Sequence, residues 1–267
     1  MMLEYFAKTN LTHIKMRKYC ILLLLLISTI GLQKVSLAKD ITILSVGDSI
    51  TAGLKLNGSQ DFWFCPANGV VTSTFQQCNG NGVLNRGGFQ PDLRAQFAQN
   101  GIDASIYNWG FAGEESFELF FRVVDAMETR PADYVFILAG VNDLNDNFTP
   151  QFTAFNIVLM MEAVLERGLI PIVGTITPHL GDPSFNPKIE LINSFIRFHA
   201  EELNVAVAEH YQALIGSWVS GGLNSGDGLH VSDAGDAVIA REWVKAFEIS
   251  QTLNQITITP ILQLLLD

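Results

Sequence analysis

A serine, an aspartate and a histidine stand in short polar segments near the two ends of the chain. Ser49 belongs to a Gly-Asp-Ser tripeptide, and Asp227 lies three residues before His230 in the segment Asp-Gly-Leu-His. A serine hydroxyl is a weak nucleophile at neutral pH and needs an adjacent base to take its proton. A histidine held in one tautomer by a carboxylate is such a base. These three residues can therefore attack an ester carbonyl together.

Two further segments carry groups that can stabilise negative charge. One is Asn-Trp-Gly-Phe-Ala-Gly at 108–113, and the other is Gly-Val-Asn-Asp at 140–143. The tetrahedral intermediate of acyl transfer carries an oxyanion that needs preorganised N–H donors. Each segment alone also fits an ordinary turn or helix cap, because Asp, Asn and Gly favour both. Their order and their placement along the chain are what indicate a site.

Strand and helix patterns alternate and place these segments. The predicted strands are 41–46, 104–107, 134–138, 170–173 and 205–208. The predicted helices are 92–99, 115–128, 152–166, 189–202 and 233–247. Alternation predicts an α/β fold with right-handed crossovers and a parallel sheet that is covered by helices on both sides. Ligands of such sheets sit beyond the carboxyl ends of the strands, so we expect the functional residues in the strand-to-helix loops.

The polar segments resemble the four sequence blocks of the SGNH or GDSL hydrolases. The blocks carry Ser, Gly, Asn and His, which are matched in order by Ser49, Gly110, Asn142 and His230. The resemblance implies a three-layer α/β/α sandwich with a flavodoxin-like sheet of about five parallel strands. It also implies an oxyanion hole made by the backbone N–H groups of Ser49 and Gly110 and by the Asn142 side-chain amide.

The activity that the resemblance implies is that of a secreted serine esterase with a Ser49, Asp227 and His230 triad. Its expected substrates are short-chain acyl esters or acetyl esters of carbohydrates. A lysophospholipase or acyl thioesterase with the same triad remains an alternative. A catalytically silent binding module is the alternative from another class, and the intact triad counts against it.

The amino terminus has the pattern of a targeting segment. Basic residues at 15–18 precede a leucine-rich run at 21–27, and Ser36 and Ala38 are the small residues that a signal peptidase reads. We predict a signal peptide that is cleaved after Ala38, with a periplasmic or extracellular mature protein. An uncleaved anchor is the alternative, although the apolar run is short for a membrane span.

The composition favours one large exported domain. The chain has 267 residues, of which 48% are hydrophobic and 16% charged, and we assign the hydrolase domain to 39–250. Cleavage removes five basic residues and one acidic residue, which changes the net charge from −11 to −15. Nucleic-acid binding needs clustered Lys and Arg, so the expected partner is a lipid, carbohydrate or other small-molecule ester. The apolar tail at 251–267 is too short to span a membrane; we expect it to fold back over the domain, with contact to lipid or a partner as the alternative.

Export leaves Cys65 and Cys78 in the mature chain, and an even pair in an oxidising compartment predicts a disulfide. Two free thiols are the alternative. Both cysteines lie in a connection from about Gly53 to Phe89 that is far longer than is usual between strand and helix. We expect three residues to line the substrate pocket: Trp63, His179 and Trp218.

The sequence favours neither a metal nor a cofactor. Asp143 to Asn147 superficially resembles a calcium loop, but position six is Phe148 and position twelve is Ala154, where such loops need glycine and glutamate. No pair of histidines has zinc-ligand spacing, and no nucleotide-binding fingerprint is complete.

Overall fold

The computed structural model describes residues 39–55, 63–64, 76–77, 83–84 and 87–266. The chain divides into two units, and the described residues belong to the second, Lys39–Asp267. The predicted signal peptide lies outside the described residues, as does the predicted disulfide.

The main sheet has five parallel strands and one short antiparallel strand at its edge. The strand order is β4-β5-β1-β6-β7-β8. The strands are β1 (Lys39–Gly47), β2 (Trp63–Phe64), β3 (Gln76–Gln77), β4 (Val83–Leu84), β5 (Ile102–Gly110), β6 (Tyr134–Leu138), β7 (Ile170–Gly174) and β8 (Ala206–Ala208). β2 and β3 form a separate parallel pair, and β4 is antiparallel to β5. The five predicted strands are confirmed, whereas the three two-residue strands are too short to leave a pattern in the sequence.

Seven helices accompany the strands among the described residues. They are α1 (Ser49–Ala52), α2 (Gln90–Gln99), α3 (Ser116–Thr129), α4 (Pro150–Glu166), α5 (Asn186–Glu202), α6 (His210–Ile215) and α7 (Asp233–Leu266). α2 packs on α7, whereas α3 packs on α4 and α4 packs on α5. These two groups cover the two faces of the sheet, as right-handed crossovers require.

The central strands are buried on both faces, which explains their nearly continuous apolar sequence. Ile43 and Leu44, neighbours on β1 that point to opposite faces, are both fully buried. Phe136 of β6 stacks on Trp243 of α7 with ring centroids 4.7 Å apart. Burying a side chain of the size of phenylalanine stabilises the fold by about 1.5–3 kcal/mol, so this contact fixes α7 firmly on the sheet.

The register of the strands brings their carboxyl ends to one level. Gly47, the last residue of β1, pairs with Gly110 on one side and with Leu138 on the other. The loops that follow these three strands therefore begin side by side. This edge of the sheet is where the polar segments of the sequence come together.

The last helix differs from its prediction. The predicted helix ends at Phe247, but α7 continues without interruption to Leu266. The tail is therefore the end of α7 and not a separate segment, and its predicted contact with the domain stays a prediction. No proline or glycine stands between Phe247 and Thr259, so nothing in the sequence stops the helix there. None of the helices in the described part of the chain is long and apolar enough to cross a membrane.

Candidate active site

Ser49 stands at a tight turn from strand to helix. It is the first residue of α1, and the Asp48 carboxylate caps this helix by accepting the backbone N–H of Ile50 at 2.9 Å. A Cβ on Gly47 would lie 2.2 Å from the Thr51 hydroxyl oxygen, so only glycine fits before the turn. The turn places the Ser49 side chain at the carboxyl edge of the sheet.

The three residues singled out in the sequence form one chain of hydrogen bonds. His230 Nε2 lies 2.9 Å from Ser49 Oγ, and His230 Nδ1 lies 2.6 Å from Asp227 Oδ2. The fold thus joins side chains that are 181 residues apart in sequence. A hydroxyl, an imidazole and a carboxylate in this order are the arrangement that serine nucleophiles require.

The surroundings of Asp227 keep its carboxylate charged. Burial pushes the pKa of Asp227 upward, but hydrogen bonds from the His230 imidazole and from two backbone N–H groups outweigh this and hold the pKa below its ordinary value. Those N–H groups belong to Leu229 and His230 and lie 2.9 and 2.8 Å from Oδ1. A charged Asp227 holds a proton on His230 Nδ1, which leaves Nε2 free to accept the Ser49 proton.

Asn224 organises the turn that carries Asp227 and His230. Its Oδ1 accepts the backbone N–H groups of Gly226 and Gly228 at 2.8 and 2.9 Å, and its Nδ2 donates to the His230 carbonyl at 2.9 Å. The only signal in the sequence is that of an Asx turn, an asparagine in a loop rich in glycine and serine. Three hydrogen bonds from one side chain fix the geometry between the acid and the base.

Asn142 begins the short 3-10 helix Asn142–Leu144 after β6. Its Nδ2 donates to the Glu114 carbonyl at 2.9 Å, which orients the amide and leaves its second N–H for another acceptor. The buried Asp143 carboxylate accepts the backbone N–H of Ser116 at 2.9 Å and the hydroxyl of the same residue. These bonds tie the loop after β6 to the loop after β5.

The structure corrects the role predicted for Gly110. Its backbone N–H donates to Asn108 Oδ1 at 2.8 Å, so this group is already engaged and does not supply an oxyanion donor. A Cβ at this position would lie 2.2 Å from the Ala52 nitrogen. Glycine is therefore needed because β5 approaches α1 closely, and not because a ligand approaches the backbone.

Gly113, in the same loop, has a backbone N–H that is better placed than that of Gly110 to meet a ligand. It is exposed, it has a φ of +82°, and nothing lies within 4 Å of the place that a Cβ would take. Among the described residues its N–H has no hydrogen-bond acceptor. The adjacent Glu114 carbonyl accepts the Asn142 amide, which brings Gly113 close to that side chain.

Two buried carboxyl groups lie behind these loops. Burial raises the pKa of Asp48 to about 7, helped by the charge of Asp143 and opposed by the bond from Ile50. Burial raises the pKa of Glu114 to about 8, against the opposing charge of Arg122, whose Nε lies 3.0 Å from Glu114 Oε2. Burial therefore raises the pKa of both carboxyl groups next to the loops that carry Ser49 and Asn142.

The residues predicted to line the pocket fall into different surroundings. The backbone of Trp63 lies in β2, and its side chain is outside the described residues. Trp218 is only 1% exposed and belongs to the hydrophobic core, so its prediction as a pocket wall is corrected: a large indole gains more from core packing than from an open cleft. His179 is 8% exposed and its Nδ1 accepts the backbone N–H of Asp182 at 2.9 Å.

The strands β2 and β3 each end directly before one of the two cysteines. The register pairs Phe64 with Gln77, and the next residues along the chain are Cys65 and Cys78. The disulfide itself lies outside the described residues and stays a prediction. Across 39–55 and 87–254, no three His, Cys, Asp or Glu side chains come together as metal ligands.

An α/β sandwich with Ser49, His230 and Asp227 joined at the carboxyl edge of its sheet has the architecture of an SGNH-type hydrolase. The model of the GDSL-like lipase/acylhydrolase family matches residues 45–238, and the chain belongs to this family. No curated protein sequence matches the chain significantly.

Solved structures share the fold at low sequence identity. The lipase/acylhydrolase of Enterococcus faecalis is 19% identical with a TM-score of 0.57, and the match covers 79% of this chain and 96% of that one. For the psychrotrophic esterase EstA of Pseudoalteromonas sp. the values are 18%, 0.55, 80% and 100%. For a family 3 carbohydrate esterase of Clostridium thermocellum they are 19%, 0.57, 80% and 99%. The matches extend over nearly the whole of each relative, so the common fold includes the entire sandwich.

Proposed function

We propose that this protein is an exported serine esterase that hydrolyses carboxylic acyl esters through Ser49, His230 and Asp227. The observation that carries the proposal is the hydrogen-bond chain from Ser49 Oγ to His230 Nε2, at 2.9 Å, and from His230 Nδ1 to Asp227 Oδ2, at 2.6 Å. Membership of an acylhydrolase family supports the class of reaction.

In the proposed mechanism, His230 Nε2 takes the proton of Ser49 as the serine oxygen attacks the ester carbonyl. Asp227 stabilises the imidazolium that forms, and the imidazolium then gives its proton to the leaving alcohol. The acyl group remains on Ser49 as an ester. Water, deprotonated by the same histidine, attacks this ester, releases the carboxylic acid and restores the serine hydroxyl.

The oxyanion of the tetrahedral intermediate needs donors on the side of Ser49 away from His230. We assign this role to the backbone N–H groups of Ser49 and Gly113 and to the Asn142 amide. Ser49 is the first residue of α1, where a backbone N–H has no partner within the helix. Gly113 replaces Gly110 because the Gly110 N–H is bound to Asn108.

For the substrate we propose short-chain acyl esters or acetyl groups on carbohydrates. The family 3 carbohydrate esterase among the structural relatives supports an ester on a carbohydrate, and the psychrotrophic esterase supports ester hydrolysis. Esters with long acyl chains and thioesters would use the same triad, so the length of the acyl pocket separates these substrates. We propose that the connection from Gly53 to Phe89, with Trp63 and the predicted disulfide between Cys65 and Cys78, forms one wall of that pocket.

Export rests on the basic and leucine-rich pattern that ends at Ala38. The proposed mature protein begins at Lys39, which is also the first residue of β1. Expression of the full chain in a bacterial host followed by amino-terminal sequencing of the exported product tests the cleavage site. A product that retains residues 1–38 and stays with the membrane fraction would instead support an uncleaved anchor.

The function is tested by hydrolysis of p-nitrophenyl esters with acyl chains from C2 to C16. The protein beginning at Lys39 is compared with its Ser49→Ala variant. We expect turnover by the wild type, with an optimum at short chains, and none by the variant. An optimum at long chains would instead favour a lysophospholipase or thioesterase. No turnover, together with no labelling of Ser49 by a fluorophosphonate, would favour a silent binding module.

A further inference from the structure

The loop after β7 lies directly against the turn that carries Asp227. The backbone N–H groups of Leu180 and Gly181 both donate to the Gly228 carbonyl, at 2.6 and 3.3 Å. Gly228 has a φ of +81°, and a Cβ there would lie 2.3 Å from the Gly181 nitrogen. The backbone next to Asp227 is therefore in close contact with this loop, so a shift of the loop moves the acid.

Two asparagines of α5 hold the loop from its other side. Asn193 accepts the backbone N–H of Ile176 at 2.7 Å and donates to the carbonyl of the same residue at 3.1 Å. Asn186 makes the same pair of bonds with His179, at 3.0 and 2.5 Å. The two asparagines are seven residues apart, about two helical turns, and so share one face of α5. Ile176 and His179 follow the end of β7 and have no neighbouring strand to bond to among the described residues, and the two asparagine side chains take the place of such a strand.

The His179 side chain completes this support. Its Nδ1 accepts the backbone N–H of Asp182 at 2.9 Å, which requires an unprotonated Nδ1. Burial lowers the pKa of His179, although nearby carboxylates oppose this, so the ring stays neutral. Phe185 packs against the imidazole with ring centroids 5.2 Å apart. The bond to Asp182 closes the loop around Leu180 and Gly181.

Only Gly181 separates the imidazole from the acid turn. A Cβ on Gly181 would lie 3.1 Å from His179 Cε1 and 3.2 Å from the Asp227 carbonyl oxygen. A side chain at position 181 would therefore be crowded between the imidazole ring and the acid turn.

We propose that His179 is a positioning residue, which holds Asp227 against His230 through the loop after β7 and does not bind the substrate. This inference rests on the proposed function, because it assigns a role in the same triad. Loss of the Nδ1 acceptor breaks the bond from the Asp182 N–H that closes the loop, and this loosens the two bonds to the Gly228 carbonyl. Asp227 then orients His230 less well, so the chemical step slows while substrate binding is unchanged.

Three variants separate this role from a purely structural one. His179→Leu removes the acceptor, whereas His179→Asn keeps it, because the amide oxygen of asparagine lies close to the place of imidazole Nδ1. Asn186→Ala removes the two bonds between α5 and the His179 backbone without changing the imidazole. His199→Leu is the matched control, since His199 lies near the other end of α5 and its Nδ1 lies 2.9 Å from Glu202 Oε2.

The measurements are kcat and KM on the best p-nitrophenyl ester, and the rate of Ser49 labelling by a fluorophosphonate, with the folded fraction checked by thermal unfolding. A displacement of about 1 Å at a catalytic group costs about 100-fold in rate. We therefore expect His179→Leu and Asn186→Ala to lower kcat and the labelling rate by about this factor at constant KM. We expect His179→Asn to recover most of the loss and the control to match the wild type.

Several outcomes would overturn the inference while the proposed function stands. The first is a raised KM at unchanged kcat in His179→Leu, which would make His179 a substrate contact. The second is a kcat of His179→Asn that is as low as that of His179→Leu. Wild-type kinetics in all variants would do so as well. A wild type that neither cleaves any ester nor labels at Ser49 would instead refute the proposed function itself, and the inference with it.

Discussion

Replacing Asp227 by asparagine is expected to stop the chemistry and leave the fold intact. Asp227 Oδ1 accepts the backbone N–H groups of Leu229 and His230, and Oδ2 accepts His230 Nδ1–H. An asparagine at 227 satisfies the two backbone donors only by turning its oxygen toward them. Its NH2 group then faces His230 Nδ1, which must become an acceptor, so that Nε2 carries the proton. In that tautomer His230 cannot take a proton from Ser49.

The magnitude follows from this change of tautomer. The same change in a serine protease triad lowers kcat about 10,000-fold, and each tenfold step corresponds to about 1.4 kcal/mol. We therefore expect Asp227→Asn to raise the activation barrier by about 5 kcal/mol. Because the substrate does not contact Asp227 in this account, KM should stay near its wild-type value.

The assay is steady-state hydrolysis of the best p-nitrophenyl ester, with circular dichroism as the check on folding. Asp103→Asn is the matched control, because Asp103 lies at the opposite end of β5 with a side chain that is 64% exposed and a 3.8 Å ion pair to Arg94. This control should behave as the wild type does. An Asp227→Asn variant that is folded and keeps a tenth or more of the wild-type kcat would refute the argument from the tautomer.

Three further changes test other parts of the site. Asn142→Ala removes an amide donor and should lower kcat about 100-fold to 1000-fold in steady-state hydrolysis; an unchanged kcat would exclude Asn142 from the oxyanion hole. Gly110→Ala would place a Cβ 2.2 Å from the Ala52 nitrogen. We therefore expect a lower midpoint of thermal unfolding and slower fluorophosphonate labelling of Ser49. A variant that equals the wild type in both measurements would contradict the close packing of β5 on α1. Asp48→Asn tests the buried carboxyl, whose pKa rises from 3.8 to about 7 in the folded protein. Because its pKa is raised on folding, the Asp48 carboxyl contributes most to the unfolding free energy below pH 3.8, where it is protonated in both states. This contribution is lost as the pH rises through 7. We therefore measure the unfolding free energy of the wild type minus that of Asp48→Asn by urea unfolding. This difference should fall between pH 4 and pH 8 by an amount on the order of 4 kcal/mol. A difference that is independent of pH would contradict the raised pKa of Asp48.

The alternation of strands and helices predicted the five parallel strands, because a strand covered on both faces leaves a continuous apolar run such as 41–46. It also predicted that Ser49 and Asn142 lie at one edge of the sheet, since loops after parallel strands share that edge. The continuation of α7 beyond Phe247 was missed because an apolar tail with no stop signal before Pro260 reads equally well as helix or as a covering segment.

The errors at the site arise from hydrogen bonds and packing contacts that local sequence patterns do not specify. The choice between Gly110 and Gly113 depends on which N–H is taken by Asn108, and the role of Trp218 depends on core packing. Asn224 and the pair of asparagines on α5 act through hydrogen bonds to backbone groups between 2 and 17 residues away. Local sequence patterns carry the residue types of such bonds but not their partners.

The most direct test of the account is to locate the covalent adduct of a fluorophosphonate on the protein beginning at Lys39. Digestion and mass spectrometry should find one phosphonyl group, attached to Ser49, and none after His230→Ala, because the serine then has no base. The labelled protein should have lost its esterase activity in proportion to the label. Labelling at another residue, or equal labelling of Ser49 with and without His230, would contradict the claim that Ser49 is a nucleophile activated by His230.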